Sequence, residues 1–144
     1  MIPKFEQNGN LPAGIHLSTW EEIEDILAFN ECRQQLLAGM KRVSEILKKA
    51  GCSRIYIGGS FVSRKAEPKD FDICWEDEKV DFEILSNLDI NLLDAGRSKR
   101  LLQKRIYRGE IFPASAYAND YDTFLEYFQK DRNGNIRGII AIDL

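Results

Sequence analysis

The chain has little with which to do histidine or thiol chemistry. Its 144 residues include one histidine, His16, and three cysteines, Cys32, Cys52 and Cys74, with no Cys-x-x-Cys pairing. A lone histidine removes zinc sites of the Cys/His type and leaves a histidine-activated nucleophile without its usual partners. An odd, scattered cysteine count argues against a disulfide framework and predicts reduced, buried side chains. No apolar run approaches the roughly 18 residues of a membrane-spanning helix. The opening MIPKFEQNGN has neither a charged segment leading into an apolar one nor a basic amphipathic pattern, so a cytoplasmic protein with no membrane partner is expected. Excess positive charge is missing too: a net charge of -3 and a pI near 5.3 exclude a generally basic, nucleic-acid-coating chain while leaving room for a local basic patch. Chemistry is therefore expected from carboxylates.

What is present suffices for one core. With 44% hydrophobic and 30% charged residues at this length, a single domain over residues 1–144 is expected. Residues 1–17, with Gly9, Pro12 and Gly14, read as an extended N-terminal arm. Ser18 with Glu21 has capping-box spacing and predicts a helix over about 19–29. Leu36, Leu37, Met40, Val43, Ile46 and Leu47 recur at helical spacing and predict a helix over 31–50 closed by Gly51. Strands are predicted at 54–57, 71–75, 109–114 and 137–143, with helical spacing over 81–108 and a helix over 121–129. Helices first and then mixed elements predict an α+β domain with a small sheet.

The chemistry concentrates in IYIGGSFVSRKAEPKDFDICW, residues 55–75. In a strand alternate residues share a face, so Asp70 and Asp72 point one way while Phe71 and Ile73 point into the core. Two carboxylates so placed repel one another unless a cation lies between them, and Mg²⁺ favours one or two carboxylates with phosphate oxygens completing its shell. Gly58 and Gly59 lack a Cβ and let backbone N–H groups approach a phosphate, and a helix beginning at Ser60 would aim its positive end there.

Gly59-Ser60, followed after nine residues by Asp70-Phe71-Asp72, resembles the signature of the polymerase-β-type nucleotidyltransferase superfamily, and of its minimal bacterial members in particular. LPAGIHLSTWEE, GSFVSRKAEPKDFDICW and GNIRGIIAI together resemble a small bacterial family of such proteins. The resemblance implies transfer of a nucleoside monophosphate from a nucleoside triphosphate, ATP first among them, to a hydroxyl of a protein or tRNA acceptor. It implies two Mg²⁺ ions on Asp70 and Asp72, with Glu110 as third carboxylate where the family more often has Asp. Gly58, Gly59 and Ser60 would cradle phosphates, and Arg64 or Lys65 would neutralise their charge. A toxin–antitoxin or phage-defence setting with a cognate partner comes from the same resemblance. The rival reading keeps the fold as a catalytically inactive binding module. Asp81 and Glu83 follow Asp72 too closely to serve as the third acid.

Residues 97–108, RSKRLLQKRIYR, hold six of the twenty Lys and Arg residues and no acid. On a helix Arg97, Arg100, Lys104 and Arg108 form one stripe opposite Leu102 and Ile106, suited to triphosphate, a tRNA end or an acidic partner. His16 reads as a loop histidine, and Trp20 and Trp75 as core or cleft-wall aromatics.

Overall fold

The computed structural model describes residues 1–93 and 96–144; the side chain of Arg97 lies outside that description. The fold is α+β, built on a five-stranded mixed sheet. Its strands are β1 (Ile15–Ser18), β2 (Arg54–Gly58), β3 (Phe71–Trp75), β4 (Gly109–Pro113) and β5 (Ile139–Asp143). They lie side by side in the order β1-β5-β2-β3-β4, with β1 parallel to β5, β3 parallel to β4, and β2 antiparallel to both its neighbours.

Period-two alternation sorts the side chains onto two faces. Ile55, Ile57, Phe71, Ile73, Trp75, Ile111, Ile140 and Ile142 enter the larger core, which they share with helices α1 (Trp20–Leu27), α2 (Glu31–Lys49), α3 (Phe82–Asp89) and α4 (Arg97–Tyr107). Tyr56, Cys74, Phe112, Ile139 and Ala141 fall on the other face beneath the short helix α5 (Phe124–Phe128). There Phe112 stacks on Phe124 with ring centroids 4.0 Å apart and meets Phe128 edge-on at 6.2 Å. Five residues of α5 cannot cover a whole sheet face, and the uncovered end is where the acids lie.

Several boundaries move for local reasons. Residues 15–17 of the expected arm join Ser18 in edge strand β1, so Thr19 rather than Ser18 caps α1, its Oγ1 accepting from the Glu22 N–H at 3.2 Å. Ser18 instead donates to Glu22 Oε1 at 2.6 Å. The expected helix over 121–129 starts later because Thr123 and Glu126 form a capping box, while Asn119 Oδ1 holds the preceding turn through the N–H groups of Tyr121 and Asp122. Helical spacing over 81–108 resolves into α3, a 3₁₀ turn at Ile90–Leu92 and α4; residues 94–95 lie outside the description. The expected helix start at Ser60 is one 3₁₀ turn, Gly59–Val62. All three cysteines are free, with Cys52 and Cys74 buried and Cys32 only partly so.

The apolar face expected for α4 is corrected. Leu102 and Ile106 are 39% and 40% exposed, whereas Gln103 and Tyr107 are buried. The physical reason is the sheet edge: β4 has no further strand beside it, and Gln103 fills that role by accepting from the Ile111 N–H at 2.8 Å and donating to Asn91 O at 2.7 Å. A leucine there would leave both backbone groups unpaired.

Candidate functional site

The parallel register of β3 and β4 makes Asp72 and Glu110 direct partners, on the face turned away from the helical layer. Asp70, one residue before β3, shares that face by alternation. Across the other side of β3, Gly58 pairs with Asp72, and the chain then turns at Gly59 with φ +68°. A Cβ at Gly59 would lie 2.1 Å from Asp72 Oδ2, so the turn's backbone rests directly against that carboxylate. Gly59→Ala is expected to cost about 2 kcal/mol, because it adds left-handed strain to the steric overlap. Denaturant unfolding checks this, and a loss of no more than the roughly 1 kcal/mol of left-handed strain would show that the carboxylate simply swings aside.

The acids feel each other. Burial, then the neighbouring charges of Asp70 and Glu110, push the Asp72 carboxyl up to about 7, against the weaker pull of Arg137 and Lys104. Lys104 Nζ lies 2.9 Å from Glu110 Oε1 and 3.5 Å from Asp70 Oδ2. Its hydrogen bond to Glu110 in turn raises the pKa of the ammonium.

Around the acids opens a cleft of about 800 Å³, lined among others by Gly59, Ser60, Lys65, Asp70, Asp72 and Glu110. Lys69, Arg100 and Arg137 add positive charge to its wall, and Tyr117 and Tyr127 add exposed aromatic rings. Among the described residues Lys65, Lys69 and Arg100 have no carboxylate at ion-pair distance, and Arg100 Nε is buried without a hydrogen-bond partner. The cleft thus joins an acidic floor to uncompensated cations, the charge pattern of a site for a metal-bound polyanion.

A family model matches residues 3–143, a span that takes in every strand of the sheet and all three acids. The chain belongs to the DUF6932 family, whose function is unknown. No curated protein and no solved structure matches it.

Two expected residues of the DUF6932 site fall elsewhere. Arg64 is not in the cleft: its Nη2 donates to the carbonyls of Glu6 and Gln7 at 3.0 and 2.7 Å, tying down the N-terminal loop. Gly58 is a buried strand residue beneath Phe128, which leaves no room for a Cβ (2.8 Å). The basic stripe is also divided. Arg108 ends α4 in the left-handed conformation (φ 71°) and binds Gln35 Oε1, so among the described side chains of the stripe Arg100 lines the cleft and Lys104 pairs with two of its acids. Asp81 caps α3 and His16 Nε2 donates to Pro12 O at 2.7 Å, both structural roles.

Sequence reasoning missed Arg33. It is fully buried on α2, and its guanidinium donates to the carbonyls of Leu27 (3.0 Å), Phe61 (2.8 Å), Ser63 (2.7 Å) and Lys65 (3.1 Å). Phe29 and Phe61 flank it at 4.5 and 5.2 Å. Burial lowers its pKa, the cost of holding a charge away from water. The signal was its register: position 33 falls on the same helical face as Leu36, Leu37, Met40 and Leu47, where a charge has no reason to be unless it is bonded. Lys69, Arg137, Tyr117 and Tyr127 were likewise not singled out, because nothing local distinguishes a cleft residue from a solvated one.

The donor set suits Mg²⁺ in kind: carboxylate oxygens on adjacent strands, and a backbone cradle over Asp72 that a single Cβ would fill. Among the described residues no three His, Cys, Asp or Glu side chains stand close enough together to hold an ion as they are.

Proposed function

We propose that the DUF6932 protein is a Mg²⁺-dependent nucleotidyltransferase, moving a nucleoside monophosphate from a nucleoside triphosphate to an acceptor hydroxyl. The observation that carries this reading is the in-register pair Asp72 and Glu110, with Asp70 alongside and the Gly59 backbone against Asp72. Asp70, Asp72 and Glu110 would hold Mg²⁺, which when bound supplies charge to the triphosphate and lowers the pKa of the acceptor hydroxyl. Ser60, Lys65, Lys69 and Arg100 line the wall where phosphate oxygens would lie. The acceptor oxygen bonds to the α-phosphorus, the bond between the α-phosphorus and its bridging oxygen breaks, pyrophosphate leaves with that electron pair, and the hydroxyl proton passes to solvent. Tyr117 and Tyr127 offer flat apolar surface for a base.

A protein acceptor is favoured over RNA, because Lys104 and Arg108 of the basic stripe are engaged within the molecule. A toxin–antitoxin or phage-defence setting fits a small transferase that modifies one partner. One observation favours the rival reading, a catalytically inactive binding module: Lys104 already neutralises two of the acids.

Incubation with α-phosphate-labelled nucleoside triphosphates, Mg²⁺ and total cell lysate separates the readings. Label is expected on protein and to fall at least about 100-fold in Asp70→Ala. Label on RNA would transfer the proposal to the tRNA acceptor, and no label under any nucleotide would leave the binding module.

A further inference from the structure

Resting on the metal-binding reading above, we infer that Lys104 is a tethered cation standing in the place of a second metal ion, so that the site takes one divalent ion, on Asp70 and Asp72.

The ammonium is placed by the backbone rather than by chance pairing of flexible side chains. Arg108 adopts the left-handed conformation at the end of α4, with its N–H bonded to Lys104 O, and β4 begins at the next residue. This one-residue reversal folds the last turn of the helix back over the start of β4, which brings position 104 beside position 110. The corner has no slack. A Cβ at Gly109 would lie 2.3 Å from the Phe71 ring, and one at Gly39 would lie 2.1 Å from Tyr107 O, so the start of β4 sits as close to β3, and the end of α4 as close to α2, as backbone allows. Gln103, buried on the adjacent position, pins the same helix to Ile111 and Asn91. From that anchor Lys104 reaches Glu110 at 2.9 Å and Asp70 at 3.5 Å, leaving Asp72 as the one carboxylate of the three with no ion pair among the described residues.

Charge points to the same count. With Asp72 ionised, as a bound cation requires, three carboxylates and one ammonium carry a net charge of minus two, which a single divalent ion neutralises; two such ions beside a retained ammonium would leave these four groups at plus two. Glutamate at position 110 serves this arrangement, since its longer side chain reaches the ammonium while the shorter Asp72 remains close to the strand.

The test counts bound Mn²⁺, used without nucleotide, by loss of the free-ion electron paramagnetic resonance signal in the full-length protein. Wild type is expected to bind one ion, Lys104→Met two, and Lys104→Arg one, because arginine keeps the charge. The Lys104 side chain is 41% exposed and outside both apolar cores, so both variants are expected to fold, which circular dichroism checks. Two ions in the wild type overturn the inference whatever the variants do. An equal, non-zero count in wild type and Lys104→Met also overturns it while leaving the metal reading intact. No binding in any of the three proteins overturns both.

Discussion

Asp72→Asn is expected to make the metal-free protein more stable at pH 8 while abolishing nucleotide transfer. The first half follows from linkage. In the unfolded chain this carboxyl ionises near pH 4, and in the folded protein near 7, because burial and the charges of Asp70 and Glu110 disfavour the anion. The folded state therefore holds the proton more tightly. The stability this proton contributes is complete below about pH 4 and is lost as pH rises through about 7. A shift of this size is worth at most about 4 kcal/mol; allowing for partial exposure of the carboxylate, about 1 to 3 kcal/mol remains. Asparagine removes that penalty, so the variant should melt about 3 to 10 °C higher at pH 8 and match the wild type near pH 4. Thermal melts at the two pH values check this. Equal melting temperatures at pH 8 would show that Asp72 carries no electrostatic burden. The second half follows from the chemistry: a carboxylate ligand lost from the floor of the cleft should reduce labelling on the order of 1,000-fold. Stability and activity moving in opposite directions distinguishes this outcome from damage to the fold.

Arg33→Met is expected to be the most damaging single substitution outside the apolar core. Arg33 closes the loop of residues 60–65 from beneath by donating to the carbonyls of Phe61, Ser63 and Lys65, and it ties that loop to the end of α1 through Leu27 O. Methionine fills much of the volume and matches the apolar flank of Phe29 and Phe61, yet strands the carbonyls of Leu27 and Phe61, whose bonds to Arg33 are buried. A loss of about 3 to 5 kcal/mol is expected in urea unfolding. Because the same loop carries Ser60 and Lys65 into the cleft, the triphosphate binding proposed above is expected to weaken even where the protein remains folded. Unfolding within about 0.5 kcal/mol of wild type would show that the loop holds itself.

Strand β3 was legible to the residue, because Phe71, Ile73 and Trp75 alternate with Asp70, Asp72 and Cys74 without interruption. Helix α2 was nearly so, since six apolar residues at helical spacing and a glycine at its end leave no competing reading. Helix α4 was legible as a helix but not in its orientation. Its leucines satisfied the pattern of an apolar face, yet the side chain that had to go inward was the one able to bond a sheet edge, which no periodicity in the segment reveals. The N-terminal arm misled for a related reason: residues 15–18 are a strand only because β5 offers them a partner some 120 residues later.

By itself the sequence determined the α+β class and the side of β3 on which Asp70 and Asp72 lie. These follow from composition and from the two-residue period of a strand, both of which are local. The tertiary structure alone decided that Glu110 stands opposite Asp72, that Arg64 leaves the cleft for the N-terminal loop, that Arg33 holds the turn and that Lys104 comes to rest between two acids. Each of these depends on register and helix placement between segments distant in the chain, and such placement is set by packing and by unpaired backbone groups rather than by the residues on either side.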